Sequence, residues 1–194
     1  METAHTRVER PPAPAKIKIL QVADDLFYTE GIHTVGVDKI IAAAHVTKAT
    51  FYKHYRSKDL LIVAYVTGRD RIAREFIASE LESLGDARAV LRSLARNIVM
   101  EATRVGFHGC PYINAAAQFS DPTHPVRVAV TAHRQWYRQT LIDLLTSMNH
   151  PNPAEGADDL LLARDGALSG GNVGDPVTAG AALLRVFERT LTAA

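Results

Sequence analysis

The sequence predicts an all-α protein, a three-helix N-terminal head followed by a larger helical body. Three observations carry this. Apolar residues recur at i, i+3, i+4 and i+7 through most of the 194 residues. No stretch has the alternation that marks a half-buried strand. The segment from Val35 to Leu61 reads as two short helices joined by a tight turn, with a third helix starting behind them.

Taken in order, residues 1–14 are polar and proline-rich and are expected to be a disordered arm. A helix follows from Ala15 to Thr29, with Ile19, Val22, Ala23, Leu26 and Phe27 on its inner face and Gly31 as its stop. Val37, Ile40, Ile41 and Ala44 give the next helix one apolar face, and Gly36 is an acceptable N-cap for it. The turn is Ala44-His45-Val46. Thr47 offers a capping oxygen to a second short helix, which Phe51 and Tyr55 anchor at i, i+4. After a break at Arg56-Ser57, a long helix is predicted over 58–84, with Leu61, Ala64, Tyr65, Gly68 and Ile72 along one face. Gly85-Asp86 separates it from a stripe of Leu91, Leu94, Ala95, Ile98, Ala102 and Val105.

Beyond a break at 106–111, residues 111–119 read as a short helix with proline in its first turn. A long helix over 125–148 carries Val126, Val130, His133, Tyr137, Leu141, Leu144 and Met148 on one face. A loop at 149–156, a helix at 157–168, a Gly-rich linker at 169–175 and a final helix at 176–191 complete the chain. The expected division is an arm at 1–14, a head at 15–57 and a body at 58–194.

The head carries the chemistry. With Phe51 and Tyr55 turned inward, Thr47, Lys48, Thr50, Tyr52, Lys53 and His54 are left facing out. A short helix with a few apolar anchors and a rim of donors fits a DNA major groove. Lys39, Lys48, Lys53, Arg56 and Lys58 fall in a stretch without acid, while the whole chain has a net charge of +1. The basicity is therefore local, as a phosphate-binding surface requires. Arg7 and Arg10 in the arm are further candidates for DNA contact.

The stretch IIAAAHVTKATFYKHYRSKDLL resembles the DNA-binding motif of the TetR family of transcriptional regulators. The family pattern is carried by Ile40-Ile41, Ala44-His45-Val46-Thr47, Phe51-Tyr52, His54-Tyr55 and Ser57-Lys58-Asp59-Leu60-Leu61. It covers about the first third of the chain. There are two departures. His45 stands where glycine is usual, at a turn position that favours a left-handed backbone, and Gly36 stands where a serine or threonine cap is frequent.

The resemblance implies that Tyr52 and Lys58 contact the DNA backbone, with Thr47 and His54 as further phosphate contacts. Lys48, Ala49 and Thr50 are placed to read base edges, and Lys53 shares their exposed face. It also implies a homodimer on double-stranded operator DNA, in which the last two helices pair with their two-fold mates. The residues agree: Leu160, Leu161, Leu168, Leu183, Leu184, Phe187 and Leu191 make those helices apolar beyond one stripe. The body of such a regulator usually holds an effector. Met100, Phe107, Cys110, Tyr112, Asn114, Trp136 and Tyr137 are the candidates here, and they suggest a small, mainly apolar ligand. Gly109-Cys110-Pro111-Tyr112 and Asp165-Gly166-Ala167 resemble one subgroup of the family, on less specific motifs.

No apolar run approaches a membrane span, and the N-terminal residues lack the apolar core of a secretory signal. A single cysteine excludes an internal disulfide and suits the cytoplasm. No phosphate-binding glycine loop and no zinc-type spacing is present, so neither cofactor nor metal is expected. Two competing readings use Cys110. One is an enzyme with Cys110 as nucleophile and His108 or His133 as base; the other is a regulator controlled by Cys110 oxidation.

Overall fold

A computed structural model of the protein describes residues 13–193. Among these residues it contains nine α-helices and no strand: α1 (Pro14–Glu30), α2 (Val37–Ala44), α3 (Lys48–His54), α4 (Lys58–Leu84), α5 (Ala87–Ala102), α6 (Pro111–Ala117), α7 (Pro125–Ser147), α8 (Pro153–Val173) and α9 (Pro176–Thr192). Most of the expected arm, with Arg7 and Arg10, lies outside the described residues; Pro14 already opens α1. The described residues cluster into two compact units, which meet after Leu61.

In the first unit α1 packs against α2 and α3. Ile19, Ala23 and Phe27 of α1 meet Ile40, Ala44, Phe51 and Tyr55, all buried. Phe51 is fully buried, and a side chain of that kind contributes about 1.5–3 kcal/mol on burial. Gly31, at φ 90°, turns the chain after α1 in a conformation that side chains resist, and Ile32 and Val35 then re-enter the core.

In the second unit α5, α7, α8 and α9 pack on one another, with α6 against α7. Capping sets the helix starts. Asp86 accepts from Ala89 N at 2.8 Å, and Asp175 accepts from Val177 N at 3.0 Å and Thr178 N at 3.1 Å. Prolines occupy the first turns of α6, α7, α8 and α9, where the missing N–H costs nothing. Bidentate pairs join neighbours: Arg92 with Glu188 between α5 and α9, both contacts at 2.8 Å, and Arg138 with Asp158 between α7 and α8 at 2.5 and 2.9 Å.

The expected Gly-rich linker at 169–175 is the main departure from the sequence reading. α8 continues through Ser169-Gly170-Gly171-Asn172 to Val173, and it begins at Pro153, inside the expected loop. Glycine is a poor helix former, but packing overrides the penalty here. A Cβ on Gly171 would sit 3.4 Å from Ala102 and 3.5 Å from Pro176, so its absence lets α5 and the start of α9 come close. The glycine inside α9 works in the same way: a Cβ on Gly180 would meet the Val99 methyls at 3.2 Å.

Candidate functional site

The candidate nucleic-acid interface is built on α2, the turn after it, α3 and the first turn of α4. His45 closes α2 in the left-handed conformation (φ 54°, ψ 44°). Its N–H reaches Ala42 O at 3.2 Å and Val46 N reaches Ile41 O at 3.2 Å, a closure of the Schellman type. Thr47 caps α3 by accepting from Thr50 N at 3.1 Å, and the two threonine hydroxyls share a further hydrogen bond at 2.9 Å.

Phe51 inside α3 and Tyr55 at its C-cap fix the helix to the core. Tyr55 donates to Lys16 O at 3.4 Å and lies under the Lys16 ammonium, and burial raises its pKa. Tyr52 packs edge-on to Phe51 at 5.2 Å yet keeps 43% of its surface exposed. Thr47, Lys48, Ala49 and Lys53 are exposed; Thr50, His54 and Lys58 are half-buried. Ser57 caps α4 through Leu60 N at 3.2 Å, which places Lys58 in the first turn. Partial burial lowers the pKa of Lys58, against the opposing pull of Asp59.

Two acids that the linear charge reading set aside come into play. Asp38 Oδ1 is 3.9 Å from Lys48 Nζ, and Glu30 forms an ion pair with Lys39. Exposed pairs of this kind contribute little to stability. They do place negative charge beside the basic face, which no stretch of sequence from Lys39 to Lys58 shows.

The second unit holds a partly buried polar cluster around His133. His133 Nδ1 lies 2.7 Å from Asp70 Oδ1, and Arg74 Nε donates to Asp70 Oδ2 at 2.7 Å. Tyr112 stacks on His133 at 3.5 Å between ring centroids, and the Arg74 guanidinium lies over Trp136 at 4.2 Å. Arg164 reaches Asp165 at 2.9 Å, faces the Tyr137 ring at 5.0 Å and places two guanidinium nitrogens 3.9 Å from Cys110 Sγ. Arg134 holds the other Asp165 oxygen at 2.7 Å. Burial lowers the pKa of His133 to about 4, although Asp70 pulls it upward.

Of the seven residues expected to line an effector site, Cys110, Tyr112, Trp136 and Tyr137 meet in this cluster. Three do not join it. Met100 is 62% exposed on α5. Asn114 is exposed and donates to His108 O at 2.6 Å. Phe107 is half-buried in the turn closed on Arg104 O. The network also recruits Asp70, Arg74, Arg134 and Arg164, which the sequence reading did not single out, and Asp165, which it noted only within the Asp165-Gly166-Ala167 motif. The usable signal was Arg164-Asp165 set within the apolar run of α8.

The residues expected at a dimer interface divide as well. Leu160, Leu168, Leu183, Phe187 and Leu191 are buried within the single chain's own core and offer no outer surface. The apolar side chains left outside on α8 and α9 include Leu162 at 74% exposure, Val177 at 70% and Leu184 at 37%, with Leu161 half-buried.

Residues 19–65 match the family model of bacterial regulatory proteins, tetR family. No curated protein matches the chain. Among solved structures, a TetR-family transcriptional regulator from Streptomyces coelicolor is 39% identical, with a TM-score of 0.87 over 92% of this chain and 94% of that one. The reduced form of NemR from E. coli is similar in fold, at 20% identity and TM-score 0.76 over 91% and 95% of the two chains. So is a TetR transcriptional regulator from Legionella pneumophila, at 17% identity and TM-score 0.81 over 93% and 99%. The helix-turn-helix geometry, the family match and the identity with the Streptomyces regulator agree, and the chain belongs to the TetR family of transcriptional regulators.

Proposed function

We propose that the protein is a cytoplasmic homodimeric repressor, released from a palindromic operator by a small, mainly apolar ligand held in the body. One observation carries the DNA reading: α3 is anchored from behind by Phe51 and Tyr55 and turns Lys48, Ala49, Tyr52 and Lys53 to solvent. In this reading Lys48, Ala49 and Thr50 contact base edges. Tyr52, Lys53, His54, Lys58 and the Thr47 hydroxyl contact phosphate. The dimer forms through the outer faces of α8 and α9. A ligand near Tyr112 and Tyr137 acts through α4, which runs unbroken from Lys58 to Leu84. It can shift DNA affinity only by its differential affinity for the two body states, typically ~1–3 kcal/mol.

The test is salt-dependent DNA binding. Lys58→Ala should weaken binding to all sequences alike and reduce the salt slope by about one counterion. Lys48→Ala should relax preference at one base pair per half-site. Unchanged affinity and slope in Lys58→Ala would overturn the docking.

Redox control through Cys110 is the second reading. It is favoured by the Arg164 guanidinium beside the sulfur, a neighbour typical of reactive thiols, and opposed by the burial of Cys110 to 2% exposure. A Cys110 that resists alkylation under native conditions removes it. The enzyme reading gains nothing from the site, where Cys110 Sγ takes its hydrogen bonds from Arg164, a cation that cannot serve as its base.

A further inference from the structure

The buried histidine of the body has one nitrogen accounted for and one not. Asp70 receives Arg74 on one oxygen and His133 on the other. Burial would raise its pKa, but those hydrogen bonds and charges hold it below the usual carboxylate range. A charged carboxylate only accepts, so His133 Nδ1 carries the ring proton and Nε2 is a bare acceptor. His133 is 3% exposed, and Nε2 is the one buried side-chain nitrogen or oxygen without a hydrogen-bond partner among the described residues. Buried polar atoms are nearly always satisfied, so an exception calls for an explanation. Around it stand rings: Tyr112 stacked at 3.5 Å, Trp136 at 5.6 Å and Tyr137 at 6.2 Å.

We propose that His133 Nε2 is the acceptor that anchors the effector, and that the effector is a small phenol whose hydroxyl donates to it and whose ring packs among these aromatics. The inference rests on the reading of the body as an effector site and gives that site its chemistry. A donor is required because Nε2 only accepts. An aromatic skeleton suits the Tyr112, Trp136 and Tyr137 surroundings. The hydroxyl keeps its proton, because a phenolate has none to donate to Nε2.

The test compares p-cresol with 4-methylanisole, its methyl ether, which keeps the ring and loses the donor. Calorimetry on the full-length protein should show p-cresol binding at least tenfold tighter. Trp136, the single tryptophan of the chain, should report the same event by fluorescence. In His133→Phe, checked for native helix content by circular dichroism, the two compounds should bind alike. The wild-type comparison needs no variant and stands if that one fails to fold. Equal binding of the ether, a phenol preference that survives in His133→Phe, or no binding of p-cresol each overturns the proposal. Failure of the anchor and failure of the broader reading give different results. Equal binding of phenol and ether with release of DNA leaves the effector reading intact and removes the hydroxyl anchor. A tenfold phenol preference without any change in DNA affinity keeps the anchor and removes ligand release.

Discussion

Replacing His45 by glycine should stabilise the protein, although it removes a side chain. His45 holds φ 54° and ψ 44°, where a Cβ crowds the carbonyl oxygen at a cost of roughly 1–2 kcal/mol. Histidine tolerates this region better than most residues, so the lower end applies. Glycine removes the strain, but its freer unfolded chain costs about 0.5–1 kcal/mol in return. The side chain is exposed, and both closing hydrogen bonds, His45 N to Ala42 O and Val46 N to Ile41 O, are backbone bonds that glycine keeps. The net gain is therefore at most about 0.5 kcal/mol, or up to about 1–2 °C in Tm for a chain of this size. Thermal and urea unfolding of His45→Gly and His45→Ala measure it together. Alanine keeps the Cβ and should be no more stable than wild type. An alanine variant as stable as the glycine variant, or a glycine variant less stable than wild type, would refute the strain argument.

Stability should also depend on pH through His133. Its folded pKa of about 4 lies below the ordinary 6.5, so the unfolded chain binds the proton first. The contribution is complete above pH 6.5 and is lost as pH falls towards 4, by about 3 kcal/mol in total. Urea unfolding across that range should show the loss in wild type and a flatter profile in His133→Phe. Asp38→Asn should strengthen DNA binding a few-fold by removing the negative charge 3.9 Å from Lys48, while changing stability by no more than about 0.5 kcal/mol. Fluorescence anisotropy with unfolding controls separates the two effects, and unchanged anisotropy titrations count against Lys48 at the DNA. For the dimer, Leu162→Asp with Leu184→Asp should give a soluble monomer in analytical ultracentrifugation, because both side chains reach the surface. Phe187→Asp should instead fail to fold, since that ring is 1% exposed. A double variant that still sediments as a dimer moves the interface elsewhere.

The head was legible because its signals are local. The i, i+4 pair Phe51 and Tyr55 and the Thr47 cap are decided within one or two helical turns, and each forms as the sequence indicates. The family resemblance is carried by the same stretch. The extent of α8 was not legible: Ser169–Asn172 reads as linker by propensity, and its helical state rests on Gly171 lying against Ala102 and Pro176, residues far off in sequence or across a turn. Apolarity of α8 and α9 was visible, but its division was not. Leu183 and Phe187 face the core of the chain while Leu162 and Leu184 face out, and all four are apolar residues of the same two helices. The body site was the least readable part. Asp70 meets His133 across 63 positions and Arg164 meets Cys110 across 54. Sequence periodicity names the face of a helix, whereas the partner that face meets is set by long-range packing, and only tertiary structure brings one carboxylate to one imidazole and leaves its second nitrogen without a partner.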